Sequence, residues 1–251
     1  STPKIWRIEN GAVSMRSLDV EQMCRVYRAP ADVTEALMAL AKETKARGWW
    51  HSYGDVIPAW FELYVGLETA ASRLRKYEAE LMPGLLQTKA YAAEAVRVGL
   101  PEMSEADIER TVAVRLGRQA LLTRVLPAPP QLDVILNESV LRRSTDDRAA
   151  MAGQLHHIVE TGQLPNVSVR VLPLGSLHRA AAMANGAFTI LDFPDNAEPS
   201  TVYSQGLTGA LYLDKPAEVT AYEDVWASIH TASLDEAASQ KLIKRIAEEL
   251  K

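Results

Sequence analysis

The sequence predicts an α+β protein: a mostly helical N-terminal part, then a C-terminal domain that is first helix-rich and then mixed, with a small sheet. Three observations lead there. Apolar residues recur at helical spacing through the first 46 positions and again between residues 65 and 126. Short β-rich runs gather between residues 131 and 213, and helical spacing returns from Val219 to the end. The chain of 251 residues suits one large domain or two smaller ones, and its 47% hydrophobic content is enough for a substantial core. A net charge of −5 means that any nucleic-acid contact must come from a local basic patch, because the acidic remainder repels phosphate. The single cysteine, Cys24, excludes an intrachain disulfide and a cysteine-rich zinc site. With no apolar run long enough to cross a bilayer and no signal-peptide core, the expected location is cytoplasmic, with no membrane partner.

The elements follow in order. Ser1 is a good N-cap, Pro3 is tolerated in the first turn and Asn10-Gly11 suits a left-handed stop, so Ser1–Gly11 is expected to be a helix. Ile5 and Ile8 share its inner face. A second helix covers Asp19–Tyr27, with Val20, Met23, Cys24 and Tyr27 on or near one face, and Pro30 breaks it. A third runs from Asp32 to Ala46. Residues 47–61 form an aromatic linker (Trp49, Trp50, Tyr53, Trp60), interrupted by Gly54 and Pro58. Ser104-x-x-Asp107 is a capping box for a helix with a stripe of Ile108, Val112 and Leu116. Strands are expected at Leu132–Leu136, Val167–Leu172, Phe188–Phe193 and Thr201–Ser204. A helix carrying Met151, Leu155, Ile158 and Val159 lies between the first two. The tail holds one helix near Val219–Thr231 and a last one starting at Ser233-x-x-Glu236.

Several constellations bear on function. The histidines are His51, His156, His157, His178 and His230; the adjacent pair points about a hundred degrees apart on a helix, unlike a metal pair. Neither a His-Glu-x-x-His, a Gly-x-Ser-x-Gly nor a Walker loop occurs. No catalytic set, metal site or cofactor is therefore assigned. Blocks that resemble one bacterial family carry, as their polar members, the set Glu68, Arg75, Glu78, Gln87, Arg115, Arg118, Gln119, Glu138, Arg142 and Gln154. Two readings stand for it. It is a structural network of ion pairs, or a pocket in which arginines, Arg118 and Arg142 first, grip an anionic effector. Trp60 and the aromatic segment around it are either packing or a ligand or partner groove.

The string Pro3-Lys4-Ile5-x-Arg7-Ile8-Glu9-Asn10-Gly11 is similar to the core of lambda-repressor-like (XRE-type) helix-turn-helix domains. Pro83-Gly84-Leu85-Leu86-Gln87-Thr88-x-x-Tyr91-Ala92 resembles a block of the antitoxin-like, WhiJ-like transcriptional regulators of actinobacteria. So do Tyr64-Val65-Gly66-Leu67-Glu68, Arg115-x-x-Arg118-Gln119 and Asn137-Glu138-x-x-Leu141-Arg142. The resemblance spans nearly the whole chain. It implies a DNA-binding regulator with residues 1–46 as reader, 47–61 as linker and 62–251 as a domain for effector or partner binding and dimerisation. Ser1–Gly11 would then be the recognition helix. Arg7 would read guanine, Thr2 a base edge and Lys4 a phosphate, with Pro3, Trp6, Asn10 and Arg16 around them. The family places two helices ahead of this one, so a partial reader with weak specific binding by residues 1–251 is expected. Trp6 departs from the small polar residue usual there. The implied partners are a double-stranded operator, a second copy and a small protein encoded nearby. The alternative is a ligand-binding or nucleotide-modifying enzyme domain attached to a DNA reader.

Overall fold

The computed structural model describes residues 17–30, 33–34, 50, 53–143, 147–175, 186–194 and 198–250. The chain divides into two compact units, Ser1–Ser52 and Tyr53–Lys251. In the first, helix α1 (Ser17–Tyr27) buries Val20 and Cys24. Arg28 adopts a left-handed φ of 55°, which lets the Ala29 N–H reach back to the Cys24 carbonyl at 2.9 Å. Ala29 thereby packs against Val20 and Cys24, and Tyr27, expected on that face, is exposed. The expected helices Ser1–Gly11 and, apart from two of its residues, Asp32–Ala46 lie outside the described residues.

The second unit is α+β, in agreement with the sequence. Its elements run α2 (Ala59–Ala70), β1 (Arg73–Glu78), α3 (Lys89–Gly99), α4 (Glu105–Arg118), β2 (Gln131–Asn137), α5 (Glu138–Arg142), α6 (Arg148–Thr161), β3 (Val167–Leu172), β4 (Phe188–Asp192), β5 (Thr201–Gln205), β6 (Ala210–Leu213), α7 (Pro216–Ala232) and α8 (Glu236–Glu249). The strands form one sheet in the order β3-β2-β1-β4-β5-β6. β1, β2 and β3 are parallel; β4, β5 and β6 continue the sheet antiparallel.

Alternation along the strands sends two apolar sets to opposite faces. Leu74, Leu132, Val134, Leu136, Val169, Val171 and Leu191 join the larger core, which α2, α6 and α8 cover with Tyr64, Met151, Leu155, Ile158, Ile243 and Ile246. Tyr77, Ile135, Leu172, Phe188, Ile190 and Val202 face the other way, beneath Val219, Trp226 and Ile229 of α7. α3 and α4 pack on each other through Ala92, Val96, Ile108 and Val112. At the edge strand β3, the tail binds the outer backbone groups of Val171. The Leu234 N–H donates to its carbonyl at 2.9 Å, and Ser239 Oγ accepts from its N–H at 2.9 Å. These bonds blunt an otherwise open ladder.

The structure refines one expectation and corrects two. The unit boundary falls at 52/53, inside the expected linker 47–61: Ile57 is buried, and Trp60 and Phe61 pack on the core of the second unit. The final helix is capped by Asp235, whose carboxylate accepts from the Ala238 N–H, while Ser233 closes α7. A central strand, β1, occupies a segment assigned to the helix-rich part. Its sequence Arg-Leu-Arg-Lys-Tyr-Glu is too charged to look like an inner strand. It is tolerated because Arg73 pairs with Asp133, Arg75 with Asp192 and Glu223, and Lys76 with Glu78.

Candidate functional site

After β1 the chain leaves the sheet and makes one tight turn at Gly84–Leu86, with Leu85 and Leu86 buried. Buried backbone in such a turn has no ladder and must find side-chain partners. Gln87 Nε2 donates to the Met82 carbonyl at 2.7 Å, and Gln119 Nε2 donates to the Gln87 carbonyl at 2.6 Å. Gln154 serves both senses: its Nε2 donates to the Leu86 carbonyl at 2.6 Å and its Oε1 accepts from the Thr88 N–H at 2.7 Å. Thr88 Oγ1 then caps α3 by accepting from the Tyr91 N–H, and the Tyr91 hydroxyl accepts from the Met82 N–H. The Pro83–Thr88 block is thus held by three glutamines from three places in the chain. A Cβ at Gly84 would lie 3.2 Å from Arg118 Nη1, so a larger residue there would press on a guanidinium that Glu68 holds in place.

Arg118, at the end of α4, is sealed beneath this loop. It donates to Glu68 through Nε at 2.7 Å and Nη2 at 2.6 Å, with side chains 7% and 2% exposed. Its guanidinium also lies over the Phe61 and Tyr64 rings, 5.0 and 5.4 Å from their centroids. Burial alone would lower its pKa, but the Glu68 charge and hydrogen bonds prevail and hold it above the ordinary value. Burial, followed by the Glu68 charge, pushes the Tyr64 hydroxyl well above its usual range. Tyr64 packs against Tyr203 with the rings tilted, and Tyr203 contacts Tyr212; burial raises the Tyr203 and Tyr212 phenols, Tyr212 to about 12. Lys76 extends the network, donating to Thr189 Oγ1 at 3.1 Å, pairing with Glu78 at 3.1 Å and lying over the Tyr64 ring.

Arg115 lies one turn before Arg118 and differs from it. Its one hydrogen bond among the described residues runs from Nη1 to the neutral Gln87 Oε1 at 3.1 Å, and no carboxylate there pairs with it. Desolvation, then repulsion from Arg118, lowers its pKa to about 10.

The expected polar set is therefore split. Glu68, Gln87, Arg115, Arg118, Gln119 and Gln154 come together, with Glu78 joining through Lys76. Arg75 is on the opposite face, bonded bidentately to Asp192 and also to Glu223. It lines a cleft of about 630 Å³ with Arg73, Phe193, Glu198 and Ser200. Glu138 and Arg142 form an i,i+4 pair on α5, where Glu138 also accepts from the Leu174 N–H and Arg142 reaches Glu249. Neither first-choice arginine is free to grip an anion: Arg118 is saturated by Glu68 and Arg142 is half-exposed between two carboxylates. Trp60 packs edge-on to Phe61, and its carbonyl accepts from the Tyr212 hydroxyl. Thr2, Pro3, Lys4, Trp6, Arg7, Asn10 and Arg16 lie outside the described residues. Lys76, Thr189 and Tyr203 are not singled out by the sequence. Tyr64 carries two signals there, as the last member of the aromatic segment and the first residue of the block that ends at Glu68.

Fold and site together define an α+β domain on a mixed sheet, with a buried charge network under a glutamine-tethered loop. The chain belongs to the family described as Domain of unknown function (DUF5753), whose model matches residues 61–245. Neither the curated proteins nor the solved structures include a match to it.

Proposed function

We propose that this protein is a DNA-binding transcriptional regulator of the antitoxin-like kind, acting in the cytoplasm as a homodimer. Its α+β domain senses a ligand or docks a small partner protein. The observation that carries the reading is the division of the chain. The family domain spans 61–245, and ahead of it stands a separate unit, Ser1–Ser52. That unit contains the Pro3–Gly11 string that resembles a recognition helix. Helix α1, which buries Val20 and Cys24, follows that string in the chain, in the order the resemblance implies. Dimerisation follows from the reader, since one recognition helix spans too few base pairs and two-fold operators require paired helices. That no helix among the described residues is long and apolar enough to cross a membrane is compatible with a cytoplasmic regulator.

The test is fluorescence anisotropy of the full-length protein on duplex DNA taken from beside its own gene. Affinity is expected to exceed that for a scrambled duplex and to fall steeply as salt rises, with Arg7→Ala relaxing the preference for the cognate sequence. Equal affinity for both duplexes, or binding indifferent to salt, defeats the proposal.

A further inference from the structure

We propose that Arg115 is the anchor of a binding site for a small carboxylate ligand, set beside the Pro83–Thr88 loop. The inference deepens the sensing half of the reading above and rests on it. Its basis is a charge balance within one network. Arg118 is matched by Glu68 and Lys76 by Glu78, and at the mouth of the β1 strand Arg143 is matched by Glu80. Arg115 alone in this group has no carboxylate among the described residues, although it is partly buried and has a second arginine nearby.

A guanidinium offers a planar fork of N–H donors. Arg115 uses Nη1 toward Gln87, a neutral acceptor that is itself held by its other end on the Met82 carbonyl. The remaining nitrogens are not closed off: among the described residues, the one sealed side-chain polar atom without a partner is Arg170 Nε. The free part of the Arg115 fork, on a partly buried side chain, therefore keeps some access to solvent. The surrounding contacts also fix its position. Gln87 is tied to Met82 and Gln119 to the loop backbone, so the fork is oriented before any ligand arrives.

The charge count selects the ligand class. One unmatched positive charge suits a single carboxylate, which accepts two parallel N–H bonds from a guanidinium. A phosphate dianion would leave surplus negative charge within the same network as Glu68 and Glu78. Binding would replace a partly buried cation that has no carboxylate partner by an ion pair and couple the ligand directly to the loop through Gln87.

The experiment is thermal unfolding of the full chain with sodium formate and sodium acetate, against sodium chloride and sodium phosphate at equal ionic strength. These smallest carboxylates present the recognised group with no bulk to exclude them. The wild-type midpoint is expected to rise by roughly 3 °C or more once the anion is tenfold above its Kd, and phosphate is expected to act no more strongly than chloride. In Arg115→Met the rise disappears, and without added carboxylate its midpoint equals or exceeds that of the wild type, because an unmatched charge has been removed. Arg115→Lys retains a weaker response, with charge but no fork. The proposal is overturned by any of three results: no shift with formate or acetate, an equal shift in Arg115→Met, or an Arg115→Met protein less stable than wild type, which would make the arginine a brace for Gln87. A response to phosphate alone overturns the carboxylate class. None of these measurements contains DNA, so failure of operator binding and failure of anion binding are separate results.

Discussion

Beneath one face of the sheet, Arg118 and Glu68 are 7% and 2% exposed and meet through two short hydrogen bonds with aromatic rings stacked around them. On the other face, Arg75 also makes a bidentate bond to a carboxylate, yet its partners Asp192 and Glu223 are 23% and 42% exposed and border an open cleft. The bonding pattern is almost the same and the surroundings are not. In the sealed pair, each ion has no alternative to its partner. In the open cluster, water takes the place of any partner removed. Equal geometry therefore predicts unequal consequences, and the burial of the carboxylates decides which arginine the fold depends on.

The largest expected effect follows at Arg118. Arg118→Met strands the Glu68 carboxylate in the core, and the loss is expected to be about 3–5 kcal/mol, measured by urea unfolding of the full chain. The sharper form adds Glu68→Leu. Removing both charges is expected to restore most of the stability lost in the single variant, since the cost lies in the unpaired ion and not in the absent bond. A double variant as unstable as Arg118→Met would show that the ring stacking and the Gly84 contact, and not the charge, hold this region.

A middle-sized effect is expected at Arg75. Arg75→Ala leaves Asp192 bonded to the Ser200 hydroxyl, at 2.7 Å, and both carboxylates open to solvent. The expected cost is about 1 kcal/mol, reduced further by added salt, whereas the Arg118 effect is nearly insensitive to salt. An Arg75→Ala loss as large as that of Arg118→Met would break the comparison between the faces.

The sequence showed part of this arrangement and hid part of it for physical reasons. β2, β3, β4 and β5 announce themselves because their apolar residues alternate or run together between turn signals. β1 does not, since five of its six side chains are polar or aromatic with a hydroxyl and their tolerance depends on Asp133, Asp192 and Thr189, which lie far along the chain. The polar set of the site was legible as a list but not as a map. Arg115 and Arg118 are three residues apart on one helix face, but nothing local tells that Glu68 reaches only the second. Likewise Arg75 and Lys76 are neighbours in sequence, and strand alternation sends them to opposite faces of the sheet. Gln154 stands in the polar set, but its role in bonding both Leu86 and Thr88 appears only when α6 is laid against the loop.

The smallest expected effect lies on the Arg75 face, toward the β3 edge. His230, on α7, stacks near Trp226 with ring centroids 6.4 Å apart. Desolvation, then the positive charge of Arg170, lowers its pKa below the ordinary 6.5, with Asp133 and Glu236 opposing. The folded protein thus holds the neutral imidazole more readily than the unfolded chain does. As pH falls below 6.5, the unfolded state takes up a proton first, so stability declines between 6.5 and the lower folded value and levels off beneath it. Urea midpoints of wild type and His230→Gln across about pH 5 to 7.5 isolate this contribution. The wild type is expected to lose stability relative to the variant on acidification through that window. Because the imidazole is largely solvated, the divergence should be smaller than either arginine effect, and parallel profiles would remove His230 as a titrating element of this face.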